Sequence, residues 1–459
     1  MSVPRLVVCG LEPGPAVALA AGALQACLGE QRAVRAVSIG VDLPLWRLLY
    51  AGEGRAPRVL DPALHAAAVV LELYDYWSEG CDLVLLVAVG PALDRWQGVK
   101  GSRAVDIATG LDAPLVLVLD ARERGATAAA AVYGVHALAR RLVFAGVIVV
   151  GGDERGAAEE LGQMLRRDVG LPILGWIPPQ LSEQFARDHS AAAGALRQIG
   201  PRPVKGGERR LCVEAATYLD RDDLLAAATQ RGFLPGRSRR LLTPLAAARG
   251  LRLAVAWGPP LEPFALENVD MLQAMGIELA PLNVARDREL PPEVSGLLIA
   301  GQLDEEQLPA FAGNGELHDA LAAAIGDGLP TLAMGGGALL LLRRLADSRG
   351  RSHELAGALP AEAELLEWYE RPHYVRARAT RANPFDEGEN LLYELFDLEF
   401  LLLEQESFAY EVGEAAESGQ AEGFALGHCL ATTLYPSLPS CPALAESFVA
   451  AMRVSGPRE

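Results

Sequence analysis

Short apolar runs alternate with longer Ala/Leu-rich stretches through the first half of the chain, the pattern of a parallel sheet covered by helices. Strands are predicted at 6–9, 36–39, 83–89, 115–119, 145–150 and 173–177, and helices at 16–28, 62–79, 126–140 and 157–169. A polar, Gly/Pro-rich stretch follows at 198–210 (QIGPRPVKGGERR), with a helical segment at 220–230. After PGRSRR a second α/β series begins. It has strands at 251–257, 297–300 and 331–334 and a helix at 267–275. Beyond Glu362 the pattern turns β-like and closes on a helix at 443–452. The boundary is expected between Thr243 and Gly250, giving domains of 1–243 and 250–459, without an internal repeat.

Composition supports two buried cores. The 459 residues exceed one ordinary core, and 51% are hydrophobic against 22% charged. A net charge of −18 excludes unassisted binding to nucleic acid or an anionic membrane, since phosphate contacts need a basic face. The opening residues form neither a signal peptide nor a spanning helix, so a cytoplasmic location is expected. The six cysteines and seven histidines are dispersed, without a CxxC pair or HExxH, so neither a metal site nor a disulfide framework is expected.

Two turns carry the candidate chemistry. The first predicted strand runs into Gly10-Leu11-Glu12-Pro13-Gly14-Pro15-Ala16-Val17-Ala18 and a long helix, the setting of a phosphate-binding loop. No lysine, serine or threonine stands in it, and Glu12 adds a carboxylate. The second turn, PTLAMGGGALL at 330–340, is a strand-to-helix elbow with Gly335 at its tip, where no side chain is available to react.

On these residues the chain resembles the cobyrinic acid a,c-diamide synthase family. Its amino-terminal domain opens with GTxSGVGKT: Gly10 and Gly14 match, Ala16 replaces a glycine, Val17 the lysine and Ala18 the magnesium-binding threonine. The family's KxGPDYIDP is matched by SIGVDLP with Asp42 retained; Val87 replaces the glutamate of DLAVVEGVMGLFD, and Val150 the asparagine of AGVILN. The segment GSRAVDIATGLDAPLVLVLDA is similar almost throughout. In the second half Phe264, Glu267, Asn268, Pro281 and Leu282 fall in step, and Gly301 keeps one glycine of the GGGYPE loop. AECGGLMYL aligns with AMGGGAL, which puts Gly335 at the nucleophile, followed by Gly336 and Gly337. ASYVHLHFASNP aligns with ATTLYPSLPSCP, which puts Tyr435 at the general base and Ser437 at the second histidine. The segment NPFDEG at 383–388 is retained.

The resemblance implies an α/β fold of two doubly wound domains, a P-loop-NTPase-like parallel sheet followed by a class I glutamine amidotransferase-like, flavodoxin-like domain. It also implies that ATP and Mg²⁺, the family's cofactors, are not held tightly. Removing two charge-assisted phosphate contacts weakens binding by about two to four powers of ten. Glutamine hydrolysis needs a thiolate, its base and oxyanion donors, and loss of the nucleophile costs on the order of 10⁶ in turnover. Cys429 and Cys441 sit off the elbow and read as inert buried thiols. The expectation is therefore a non-catalytic relative that binds a tetrapyrrole, an active paralogue or a second copy of itself. Two alternatives remain open: an amidoligase fed by free ammonia, and a structural or regulatory interaction protein.

Overall fold

A computed structural model describes residues 3–95, 99–122, 127–152, 157–199, 206–230, 239–404, 407–413 and 419–456. The chain divides into two compact units, Met1–Ala193 with Pro203–Ser238 and Gly194–Arg202 with Arg239–Glu459. The division falls before Arg239 rather than after Thr243. The chain just beyond is tied to the second unit by Leu245 N–H donating to Met275 O at 2.8 Å.

In the first unit the described strands are β1 (Arg5–Gly10), β2 (Val34–Ile39), β3 (Arg58–Leu60), β4 (Leu83–Pro91), β5 (Leu115–Asp120), β6 (Phe144–Val150) and β7 (Ile173–Ile177). They form one parallel sheet in the order β3-β2-β4-β1-β5-β6-β7. Runs such as RLVVCG are buried at every position because helices cover both faces of the sheet. The helices are α1 (Pro15–Gly29), α2 (Leu43–Glu53), α3 (Ala67–Trp77), α4 (Ala104–Gly110), α5 (Thr127–Leu138), α6 (Ala157–Met164), α7 (Pro179–Ile199), α8 (Gly206–Ala216) and α9 (Arg221–Thr229). Twelve of the fifteen residues of α1 are buried, so its Ala/Leu sequence needs no polar stripe.

Four expectations change here. The helix expected from Pro62 starts at Ala67, because Asp61 Oδ1 accepts Ala63 N–H at 2.9 Å and His65 Nδ1 accepts Asp61 N–H at 3.0 Å, which holds 61–65 as a turn. The helix expected over 157–169 is α-helical only to Met164 and continues as a π turn, Leu165–Val169. The polar stretch 198–210 is bounded by helix at both ends, α7 reaching Ile199 and α8 starting at Gly206. Residues 200–205 lie outside the described residues, as do Ala126, expected at a helix start, and 235–238 of PGRSRR. Helix α2 was not expected; its Pro44 fits the first helical turn, where a missing N–H is not needed.

The second unit contains β8 (Arg252–Trp257), β9 (Leu261–Glu262), α10 (Leu266–Ala274), β10 (Glu278–Asn283), β11 (Gly296–Leu303), α11 (Leu308–Ala312), α12 (Gly315–Gly326), β12 (Thr331–Gly335) and α13 (Gly336–Leu339). It continues with β13 (Arg344–Ala346), β14 (Ser352–Glu354), β15 (Ala361–Ala379), β16 (Glu389–Leu403), β17 (Phe408–Val412), β18 (Gln420–Leu426), β19 (Cys429–Thr432) and α14 (Pro442–Ser455). A parallel core, β10-β8-β11-β12-β19, gives the doubly wound part. Antiparallel β18, β17, β15 and β16 extend it, which is the β-like pattern beyond Glu362. Among the described residues no helix is long and apolar enough to cross a membrane.

Candidate functional sites: a phosphate loop and a nucleophile elbow

In the first unit β1 ends at Gly10 and α1 begins after Gly14, which has φ 153° and supplies no side-chain cap. Gly14 O accepts Val17 N–H at 3.1 Å and Ala18 N–H at 3.4 Å, so the turn keeps the shape of a helix-terminal anion site. Its charge is missing. A Cβ added at Gly10 would lie 2.6 Å from Val17 Cγ2, so the valine leans onto the glycine where a lysine would pass towards phosphate. Ala16, Val17, Ala18, Val87 and Val150 are buried in one apolar cluster with Leu6, Val8 and Val118. Glu12 is exposed in the loop.

Asp42 stands at the amino terminus of the second helix, α2. Its Oδ1 accepts Leu45 N–H at 3.0 Å and caps α2. Asp61 is buried and shapes the turn to His65. Burial lowers the His65 imidazole from 6.5 to about 3, so the ring is neutral and its Nδ1 is free to accept the Asp61 N–H.

In the second unit β12 runs into α13 through Gly335, whose φ of 56° and ψ of −131° give the strained elbow of a nucleophile turn. The space above it is filled. A Cβ built on Gly335 would lie 1.9 Å from Tyr435 Cζ and 2.2 Å from its Cε1, distances at which no side chain fits. The Tyr435 hydroxyl accepts Gly336 N–H at 3.1 Å, which is the donor next to the nucleophile that would otherwise face an oxyanion. Its own proton faces Gly301 O at 3.2 Å and Gln302 Oε1 at 3.3 Å. Burial raises the phenol, opposed by the Gly336 N–H, and the group stays neutral.

The ring is clamped on all sides. It stacks on Tyr393 with centroids 5.3 Å apart and an interplanar angle of 7°, and meets Phe264 edge-on at 5.5 Å. Tyr435 N–H donates to Tyr393 O at 2.8 Å. Asn268 fixes the following turn, donating from Nδ2 to Pro436 O at 2.9 Å and accepting Leu438 N–H at 2.7 Å. Ser437 is buried in that turn, where its carbonyl accepts Ser440 and Cys441 N–H groups ahead of α14.

Gly336 and Gly337 hold the elbow against β11, and Gly301, within β11, lets β9 approach it. A Cβ on Gly337 would meet Ile299 O at 2.2 Å, on Gly336 Leu303 N at 2.7 Å, and on Gly301 Glu262 O at 2.7 Å. These glycines are used for close backbone approach. The retained NPFDEG segment is also structural: Asn383 Oδ1 accepts Phe385 and Asp386 N–H groups at 3.1 and 3.0 Å, forming the link between β15 and β16. Burial pushes the Cys429 and Cys441 thiols to about 12, so neither is a thiolate near neutrality. The sequence reading misses Tyr393. Its stacking on Tyr435 goes with an isolated β-bridge between residues 42 apart in the chain and leaves no local pattern. Among the described residues no group of three or more His, Cys, Asp or Glu could hold a metal ion.

The parallel sheet opening on a strand, glycine loop and helix, and the parallel core ending in a strand-to-helix elbow, define an α/β protein with a P-loop-NTPase-like and a class I glutamine amidotransferase-like domain. The model of the CobB/CobQ-like glutamine amidotransferase domain matches residues 252–431. Cobyrinate a,c-diamide synthase of Dehalococcoides mccartyi strain CBDB1 is 26% identical over 463 residues, covering 98% of either chain. Hydrogenobyrinate a,c-diamide synthase of Stutzerimonas stutzeri strain A1501 is 30% identical over 342 residues, covering 69% of this chain and 75% of that one. Among solved structures, a glutamine amidotransferase aligns at 16% identity and TM-score 0.33, covering 44% of this chain and 98% of its own. The MinC:MinD cell division protein complex of Aquifex aeolicus aligns at 17% and TM-score 0.32, covering 51% and 99%. The chain belongs to the cobyrinate a,c-diamide synthase family.

Proposed function

We propose that this chain is a non-catalytic member of its family, kept as a scaffold that binds a tetrapyrrole carboxylic acid or an active paralogue. The two units, divided in the chain before Arg239, descend from the ATP-using and glutamine-using halves of such an enzyme. The observation that carries the reading is the Tyr435 ring in the place of any side chain on Gly335, with the hydroxyl on the Gly336 donor. Without nucleophile, base or free oxyanion donor, the elbow has no route to a glutamyl intermediate. In the first domain, Val17, Ala18 and Val87 offer no charge to a nucleotide phosphate or its magnesium.

The test is direct. The purified chain is incubated with glutamine and MgATP while glutamate and ADP are measured, and is separately titrated with a corrin or sirohaem-type polycarboxylate. Neither product should form above the level of a boiled sample, and the tetrapyrrole should bind saturably or an active paralogue should co-purify. Glutamate release would overturn the loss of the glutaminase. ADP release dependent on a tetrapyrrole and free ammonia would establish a working amidoligase instead. Failure of both binding arms would leave an interaction protein outside tetrapyrrole chemistry.

A further inference from the structure

A cleft of about 760 Å³ opens in the first unit away from the phosphate loop, lined by the carboxyl-terminal half of α1, the end of α2, the turn before β4, and α8. Its size is that of pockets for small organic ligands and exceeds what a single inorganic ion needs. Arg32, Arg35, Arg55, Arg209 and Arg221 line it, and the carboxylate among its lining residues is Glu30. Glu30 is engaged by Arg221 at 2.7 Å. Among the described residues Arg32, Arg35, Arg55 and Arg209 have no ion-pair partner. In a chain of net charge −18 this is a local reversal of sign.

Solvated arginines at helix ends are the plainer account, because the last carbonyls of α1 and α2 carry partial negative charge. Two such ends amount to about one elementary charge. Asp82, on the Ala33 N–H at 2.8 Å, and Asp220, beside Cys27, stand at its edge, so five guanidinium groups against three carboxylates and the helix ends leave roughly one net positive charge. Two polar atoms of its lining also lack partners. Gln25 is only 5% exposed; its Nε2 donates to Leu49 O at 2.9 Å, while its Oε1 accepts nothing. Arg221 Nη2 is buried without an acceptor. Buried polar atoms left unpaired are costly, and these two ask for a donor and an acceptor respectively.

We infer that this cleft binds a small polyanion carrying at least one hydrogen-bond donor, its anionic groups held by Arg35, Arg209 and Arg221 and its donor reaching Gln25 Oε1. Polycarboxylates and polyphosphates share that chemistry. The inference rests on the first unit alone and stands apart from the fate of the glutaminase elbow.

Calorimetric titration of the whole chain with citrate, whose hydroxyl supplies the donor, and with tripolyphosphate, which keeps one P–OH near neutrality, at low and at physiological salt, tests it. At least one probe should bind saturably and more weakly as salt rises. Arg35→Ala and Arg209→Ala should each weaken it about tenfold, while Arg166→Ala, remote in sequence from the cleft lining, should leave it unchanged. The tighter probe identifies the carboxylate or the phosphate source. Absence of saturable binding by either probe overturns the inference, and so does binding that both cleft variants leave untouched.

Discussion

The phosphate loop and the elbow are both strand-to-helix turns, and they differ in what stands at them. In the phosphate loop the turn keeps its shape and has lost its charge: Val17, Ala18, Val87 and Val150 have joined the apolar core behind it. At the elbow the turn also keeps its shape, but the space in front of it is occupied by the Tyr435 ring. On the proposed reading the first site was emptied by subtraction and the second by insertion. A site emptied of charge can be refilled by adding side chains back. One filled by a packed ring resists repair until the ring is removed.

The largest effect should follow from a side chain at the elbow. Gly335→Ala places a Cβ against Tyr435 at positive φ, and a loss above about 4 kcal/mol or failure to fold is expected. Tyr435→Ala alone should cost about 3 to 5 kcal/mol, as removal of a fully buried aromatic does. In that background Gly335→Ala should cost only about 1 kcal/mol, the residual backbone strain. Urea unfolding measures all three, and an equal cost of Gly335→Ala in both backgrounds would sink insertion as the cause.

Subtraction makes the opposite forecast for the other unit. Val17→Lys combined with Ala18→Thr should raise MgATP affinity by roughly tenfold to a thousandfold in calorimetry. Equal affinity in the variant and the parent would show that loop geometry, not missing charge, closed the site.

Two smaller effects test local contacts of the first unit, at His65 and at Asp42. Folded His65 titrates near 3 against 6.5 unperturbed, so below 6.5 the unfolded chain takes up a proton that the folded chain refuses. Its contribution is complete above pH 6.5 and is lost as pH falls towards 3, by about 2 to 3 kcal/mol between pH 7 and about 4.5. His65→Gln should flatten that part of the urea-midpoint profile, and an unchanged acid slope would remove the histidine from the account. Asp42→Ala should cost about 1 kcal/mol through loss of the α2 cap and leave the MgATP titration unaltered.

Much of this is legible in the sequence. Parallel strands buried on both faces read as unbroken apolar runs, so β1, β4, β5 and β6 stand out in the chain. The tip glycine at 335 and the missing lysine at Val17 could be read by type and position alone. Helix α2 was not expected, and the turn 61–65 was hidden because its two stabilising bonds run through the Asp61 and His65 side chains.

Residue types and their order settled which atoms are absent, since a missing thiol, imidazole or ammonium cannot be supplied by folding. What fills the space they left was decided by the tertiary structure. Tyr435 reaches Gly335 because β19 lies beside β12 and a bridge to Tyr393 sets the ring flat against a second ring. Likewise the arginines of the cleft, spread from Arg32 to Arg221, share one opening only once α8 packs along α1. Contacts between segments distant in sequence follow from close packing of whole elements, and no local pattern encodes them.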